Sequence, residues 1–261
     1  DLHGFNRLGG NSVAETVVAG MIVGEAIADF CATPAGDMHV STALVRDCWE
    51  QENARFADLS ASRGQESASL LMQRMQAIMT EKVGIVRHGE QLTAAVDELK
   101  SLLLRSRQIG LRSTAPGANP ELTSAWRVPK MLRLALCVAY GALQRNESRG
   151  AHYREDFPRR DDAQWLKRTL AYWSDPKQVV PSLHYEALDV RRMELPPGWR
   201  GYGARDAIEH PQTALREADI ERLKARLGAA DRHAVQDALM PFRHLLPAHL
   251  RGANQRLEEP A

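Results

Sequence analysis

From Met131 to Tyr140 the chain runs Met-Leu-Arg-Leu-Ala-Leu-Cys-Val-Ala-Tyr, apolar nearly all the way round a helical cylinder. A helix of that kind is stable in water only when other helices enclose it. The stretch therefore predicts a helical bundle with residues 120–146 at its centre, and the preceding sequence supplies neighbours at 40–59, 67–83 and 89–109. The last of these is the clearest. Leu92, Val96, Leu99, Leu103, Ser106 and Gly110 mark one stripe, widened by Ala95, Leu102 and Ile109, while Asp97, Lys100 and Arg107 fall on other faces. Leu92, Leu99 and Leu103 fit core packing better than a seam for a partner helix, and Met72, Met75 and Met79 read the same way.

Towards the amino terminus, Val13, Val17, Met21 and Ile27 with Gly20 and Gly24 give helical spacing from Val13 to Phe30, followed by a turn at Thr33-Pro34-Ala35-Gly36. The two glycines, one turn apart, would let this helix approach a strand closely. Ser12 followed by Glu15 matches a capping box and makes Ser12 the expected N-cap. Beyond Gly150 the sequence becomes polar and proline-punctuated. A short helix is expected at Ala163–Leu170, and stretches near Leu170–Trp173 and Leu183–Val190 suit a hairpin. Pro196-Pro197-Gly198 and weakly amphipathic segments at 213–228 and 232–240 suggest an extended arm.

Lys plus Arg (34) nearly cancels Asp plus Glu (33) in these 261 residues, so the net charge of +1 gives no long-range field for nucleic acid or an anionic membrane. The doublets Arg159-Arg160 and Arg191-Arg192 are therefore read as solvated or locally paired. No run approaches the roughly 20 apolar residues of a membrane-spanning helix, so no direct membrane span is expected. Cys31, Cys48 and Cys137 lack C-x-x-C spacing, which argues against a disulfide framework or zinc and for a reducing compartment. His39, His184, His210, His233 and His244 show no ligand spacing, and no metal site is expected. The chain opens on Asp1 without a signal-peptide pattern, as a piece of a longer protein would.

The densest chemistry lies in His3-Gly4-Phe5-Asn6-Arg7-Leu8-Gly9-Gly10-Asn11-Ser12. Glycines let a flat ligand come close to the main chain, and a helix N-terminus adds free N–H groups and a partial positive charge of about half a unit. Arg7 offers a planar fork matched to a carboxylate. On spacing alone, a structural loop with an arginine salt bridge is the commoner meaning of so short a motif. His3 reads as a hydrogen-bonded structural residue. Arg149, His152, Arg154 and Asp156 read as an ion-paired corner tying the bundle to the domain before it, with a place near a cofactor or partner as the sharper alternative.

This opening motif, with the Val- and Gly-containing helix after it, resembles the flavoprotein subunits of the fumarate reductase and succinate dehydrogenase family where the FAD domain resumes after the mobile capping domain. The resemblance continues through Gly84-Ile85-Val86-Arg87, through Glu147-Ser148-Arg149-Gly150-Ala151-His152-Tyr153-Arg154-Glu155-Asp156, and through Arg160-Asp161-Asp162 and Trp165-Leu166-Lys167. Met193-Glu194-Leu195-Pro196-Pro197-Gly198 with Arg200-Gly201-Tyr202-Gly203 is similar to the tail of one fumarate reductase subgroup.

The resemblance implies a mainly α fold: residues 1–36 as the end of an α/β FAD-binding domain, 37–150 as a helical bundle, 151–204 as a polar, small β-containing element, and 205–261 as an extended arm with short helices. It implies a FAD-dependent oxidoreductase that interconverts fumarate and succinate by hydride transfer. Arg7 would be the catalytic and substrate-binding arginine on the dicarboxylate, and Gly10, Ser12 and Val13 would contact FAD mainly through backbone groups. Val13 departs from the family's usual Leu, a change that matters little for a backbone and apolar contact. The resemblance further implies an iron–sulfur subunit and a membrane anchor subunit as partners, and a place on the cytoplasmic side of the inner membrane, with the periplasmic side left open. The family's proton-transferring arginine, the histidine that often carries FAD and the dinucleotide fingerprint lie upstream, so this stretch alone would be inactive. L-aspartate oxidase, which shares the N-R-L-x-x-N-S and E-S-R-G-x-H-Y patterns, and a non-catalytic docking fragment are the alternatives. The long arm after Leu195 favours the reductase branch.

Overall fold

A computed structural model of the chain describes residues 9–33, 40–113, 117–175, 177–189 and 212–227. It divides into two compact units, one of residues 40–160 and 167–186 and the other of residues 1–39, 161–166 and 187–261.

The first unit is the helical one. Helices α2 (Thr42–Ala61), α3 (Ala68–Lys82), α4 (Gly89–Arg105) and α5 (Pro120–Gln144) follow the expected segments to within a few residues, and a single 3-10 turn at Ser106–Gln108 extends α4. Local chemistry sets several starts. Asn119 accepts from the Leu122 amide at 3.1 Å ahead of Pro120, which needs no amide partner at the first helical position. Ser41 does the same for α2, accepting from Leu44 at 3.2 Å.

The core is the mutual contact of α3, α4 and α5. Leu71 and Ile78 from α3, Leu92, Leu99 and Leu103 from α4, and Val128, Leu132 and Leu136 from α5 are all buried, and Met75 lies among them with Met72 and Met79 at its edge. At about 25 cal/mol per Å² of apolar surface removed from water, each such leucine stabilises the unit by roughly 2 kcal/mol. The stripe expected in 89–109 is thus core, as its spacing implies.

Residue α5 positions 131–140 differ from expectation in one respect. Leu132, Leu136 and Ala139 are enclosed, but Leu134 is 67% exposed, and Met131 and Val138 are exposed beside it. Among the described residues the bundle covers one side of this helix and leaves an apolar stripe at i, i+3 and i+7 on the other.

Where the chain enters α3 and leaves α4, two segments run close together. The Glu66 amide donates to the Gln108 carbonyl at 3.0 Å and the Gly110 amide to the Glu66 carbonyl at 3.1 Å. A Cβ on Gly64 would lie 1.9 Å from the Gln108 oxygen, and one on Gly110 would lie 2.0 Å from the Gly64 oxygen, so only glycine fits either place. Arg105 then clasps the Glu66 carboxylate through Nε and Nη2 at 2.7 and 2.9 Å.

Two small sheets complete the unit. Strands β1 (Val86–Arg87) and β2 (Tyr153–Arg154) pair in parallel. Strands β3 (Lys167–Tyr172) and β4 (Ser182–Ala187) pair as expected for the polar stretch, with Arg168 bonded to Glu186 and Tyr172 edge-on to His184. The short helix expected at Ala163–Leu170 is a correction: helix α6 covers only Asp162–Trp165, and from Lys167 the chain is strand. Ladder bonds to β4 outweigh the modest helical preference of Lys167-Arg168-Thr169-Leu170.

In the second unit, α1 (Asn11–Cys31) and α7 (Thr213–Leu227) occupy the places their spacing predicts. Val13, Val17, Met21 and Ile27 of α1 are exposed, and a Cβ at Gly20 or Gly24 would meet nothing within 4 Å among the described residues. Ile220 of α7 is buried against Leu223 and Leu227. The Pro34-Ala35-Gly36 turn, the Pro196-Pro197-Gly198 arm and the segment 232–240 lie outside the described residues.

Candidate functional site

The first candidate is the start of α1. Gly10 is the N-cap, with φ +78°, and its carbonyl accepts from the Val13 and Ala14 amides at 3.2 and 3.3 Å. This corrects the capping-box expectation. Ser12 is already inside the first turn, because the left-handed conformation open to Gly10 turns the chain before Ser12 is reached. No side chain caps this end among the described residues. A Cβ on Gly9 or Gly10 would meet nothing within 4 Å among the described residues. The arrangement suits a flat ligand that carries or gains negative charge. Gly10, Ser12 and Val13 are consecutive or nearly so on this turn; Arg7 and His3 lie outside the described residues.

The second candidate is the polar cluster around Arg154, where the expected corner is ion-paired but joins helix ends within the bundle. The Arg154 guanidinium is 2% exposed. It grips Asp156 through Nε at 2.7 Å and Nη2 at 2.6 Å, and Nη1 donates to the carbonyls of Ala142 and Leu143 at 3.1 and 3.0 Å. Those carbonyls are orphans of the last turn of α5, so the arginine acts as its C-cap. Asp156 in turn accepts from the Gly89 amide at 3.1 Å, the first residue of α4. A side chain at 89 would displace this, since its Cβ would sit 2.7 Å from the Asp156 carboxylate. The Arg154 hydrogen bonds, and then its charge, pull the Asp156 pKa from 3.8 to about 2.

The end of α3 joins the same cluster. Arg87 Nε donates to the carbonyls of Val83 and Gly84 at 3.2 and 2.9 Å, and its Nη1 lies 2.8 Å from His152 Nδ1. A guanidinium only donates, so Nδ1 must be the acceptor. The imidazole is thereby fixed as the Nε2–H tautomer, which donates to the Arg145 carbonyl at 3.1 Å. Burial first, then the surrounding arginines, holds its pKa below 6.5. Beside it, fully buried Glu147 accepts from Arg145 at 2.6 Å and from Arg149 at 2.8 and 3.0 Å. Sequence reasoning picked out 149, 152, 154 and 156 but missed Arg145 and the capping work of Arg87. The acid at 147 between arginines at 145 and 149 was the available signal. The cluster holds helix ends and presents no nucleophile; among the described residues no His, Cys, Asp and Glu group has metal-site geometry.

Residues 72–202 match the family described as fumarate reductase flavoprotein C-term. The chain belongs to this family. The fumarate reductase flavoprotein subunit of Helicobacter pylori is 44% identical over 99% of this chain, which covers 36% of that protein. The succinate dehydrogenase flavoprotein subunit of Bacillus subtilis is 34% identical over 72% of the chain and 32% of its own length. A solved Escherichia coli quinol fumarate reductase chain superposes with a TM-score of 0.68 at 32% identity, covering 77% of this chain and 34% of that one. The chain thus spans about a third of the flavoprotein subunits it matches, and its helical fold is the carboxy-terminal helical part of that family. The homologues are flavoprotein oxidoreductases. No helix among the described residues is long and apolar enough to cross a membrane.

Proposed function

We propose that this chain is the carboxy-terminal third of a subunit that interconverts fumarate and succinate with FAD and passes the electrons to an iron–sulfur subunit, itself held by a membrane anchor subunit. The observation that carries the reading is the combination of the Asn6-Arg7-Leu8-Gly9-Gly10-Asn11-Ser12 motif with 44% identity to a fumarate reductase flavoprotein subunit along 99% of the chain. We place it on the cytoplasmic side of the inner membrane, peripheral through those partner subunits, with the periplasmic side as the alternative.

The residues present suit FAD at one wall of its site. Gly10, Ser12 and Val13 would hold it through the glycine turn and the amino-terminal end of α1, where the helix end favours negative charge. When bound, the flavin supplies hydride transfer to or from a carbon of the dicarboxylate. Arg7 grips one substrate carboxylate bidentately, which fixes the reacting carbon in place and stabilises charge that develops on that carboxylate. Val13 presents an apolar surface where the family more often has Leu. The Arg154 cluster has no chemical step; it supports the bundle.

The test is substrate choice by the full-length subunit with FAD. Fumarate reduction and succinate oxidation are expected, with no oxidation of L-aspartate. Turnover of L-aspartate without fumarate or succinate would replace this reading with an aspartate oxidase, and an FAD-free, inactive full-length protein would leave only a docking role.

A further inference from the structure

The geometry points to an acid-sensitive latch: His152 joins the end of α3 to the end of α5 only while its ring is neutral, and protonation releases the 148–157 segment from Arg87. The inference stands on the helical unit alone and does not depend on the flavin reading.

Arg87 Nη1 lies 2.8 Å from His152 Nδ1. Arg87 keeps its proton at any relevant pH, so a protonated Nδ1 would face a donor with a donor and a cation with a cation. The opposite ring nitrogen is already committed to the Arg145 carbonyl at 3.1 Å. Every neighbouring element adds to the conflict. Arg87 comes from β1, Arg145 from the end of α5, Arg149 from the segment after it, and Arg154 from β2. Among the described ion pairs, Glu147 is engaged by Arg145 and Arg149, and Asp156 by Arg154. A proton on His152 would thus add a further cation beside arginines whose described carboxylate partners are already engaged. Burial and the arginine charges act in the same direction.

The sign follows. An unfolded or opened segment takes the proton near pH 6.5, whereas the closed one resists it, so the opened form gains on the closed form as pH falls below 6.5. Three backbone bonds mark what is released. The Glu155 amide donates to the Arg87 carbonyl at 2.9 Å, and Arg149 and His152 exchange backbone bonds at 2.7 and 3.0 Å.

The experiment is hydrogen exchange by mass spectrometry on the full-length subunit between pH 7.0 and 5.0, with each rate referred to an unstructured peptide at the same pH. Protection of the peptide covering 148–157 is expected to fall several-fold across this range. His152→Gln can keep both bonds, its amide oxygen accepting from Arg87 and its NH₂ donating to Arg145, yet cannot titrate. It is expected to abolish the step. In the wild type, exchange at the imidazole C2 carbon is expected to show a midpoint below 6.5, a readout that stands even if H152Q folds poorly. An equal pH step in H152Q, unchanged protection of the wild type across the range, or a C2 midpoint at or above 6.5 would overturn the latch.

Discussion

Replacing Asp156 by Asn should weaken the bundle by an amount that the structure lets one work out. The carboxylate takes two hydrogen bonds from a guanidinium that is almost wholly buried and one from the first amide of α4. Its pKa falls from 3.8 to about 2, and each unit represents about 1.4 kcal/mol of preference for the ionised form in the folded chain. The side chain keeps 23% of its surface, so screening removes part of this and about 2 kcal/mol remains. Asn keeps the size and one acceptor but loses the charge, and leaves the Arg154 guanidinium buried with a neutral partner. Because the folded pKa is the lower one, the carboxylate's contribution is complete above about pH 4 and is lost as pH falls towards 2. Urea unfolding followed by circular dichroism should show the midpoint of D156N lowered by about 1 M at pH 7 and again at pH 5. The deficit should shrink at pH 3. A D156N midpoint equal to wild type at pH 7, or a deficit unchanged at pH 3, would show that the Asp156 carboxylate does not stabilise the bundle in this way.

Other positions test other parts of the fold. Leu136→Ala removes a fully buried side chain from α5 and should cost about 3 kcal/mol, read from the same unfolding curves. Gly110→Ala puts a methyl carbon 2.0 Å from the Gly64 carbonyl oxygen, and backbone must move to admit it; a loss of about 2 kcal/mol or more is expected, whereas Gly141→Ala, where a Cβ meets nothing within 4 Å among the described residues, should be neutral or slightly stabilising. Arg105→Ala breaks an exposed clasp on Glu66 and should leave the midpoint of a thermal melt close to that of the wild type.

The helices were legible because their cores are simple. Leu92, Val96, Leu99 and Leu103 recur at helical spacing, and a bundle is the direct way to bury such a stripe. What escaped were features decided by distant partners. Lys167-Arg168-Thr169-Leu170 has no strong preference of its own and becomes strand only because 182–187 lies beside it. Leu134 and Val138 look as buried as Leu132 and Leu136 in the sequence; only the packing shows which side is covered. Ser12 satisfied a local capping rule, but the positive φ at Gly10 started the helix first. At the polar cluster, the residue types foretold ion pairing, while the use of Arg154, Asp156 and Arg87 to close three helix ends depends on where those ends meet in space. Arg7 is a different case, legible only through its motif.

The role proposed for Arg7 is decided by Arg7→Lys in the full-length subunit, with bound FAD measured by its absorbance and turnover measured with fumarate and succinate. A lysine keeps the charge but not the planar fork, so FAD occupancy should match wild type while turnover of both dicarboxylates falls by about a hundredfold or more. Near-normal turnover with FAD in place would contradict the assignment of Arg7 and the active-site wall built on it.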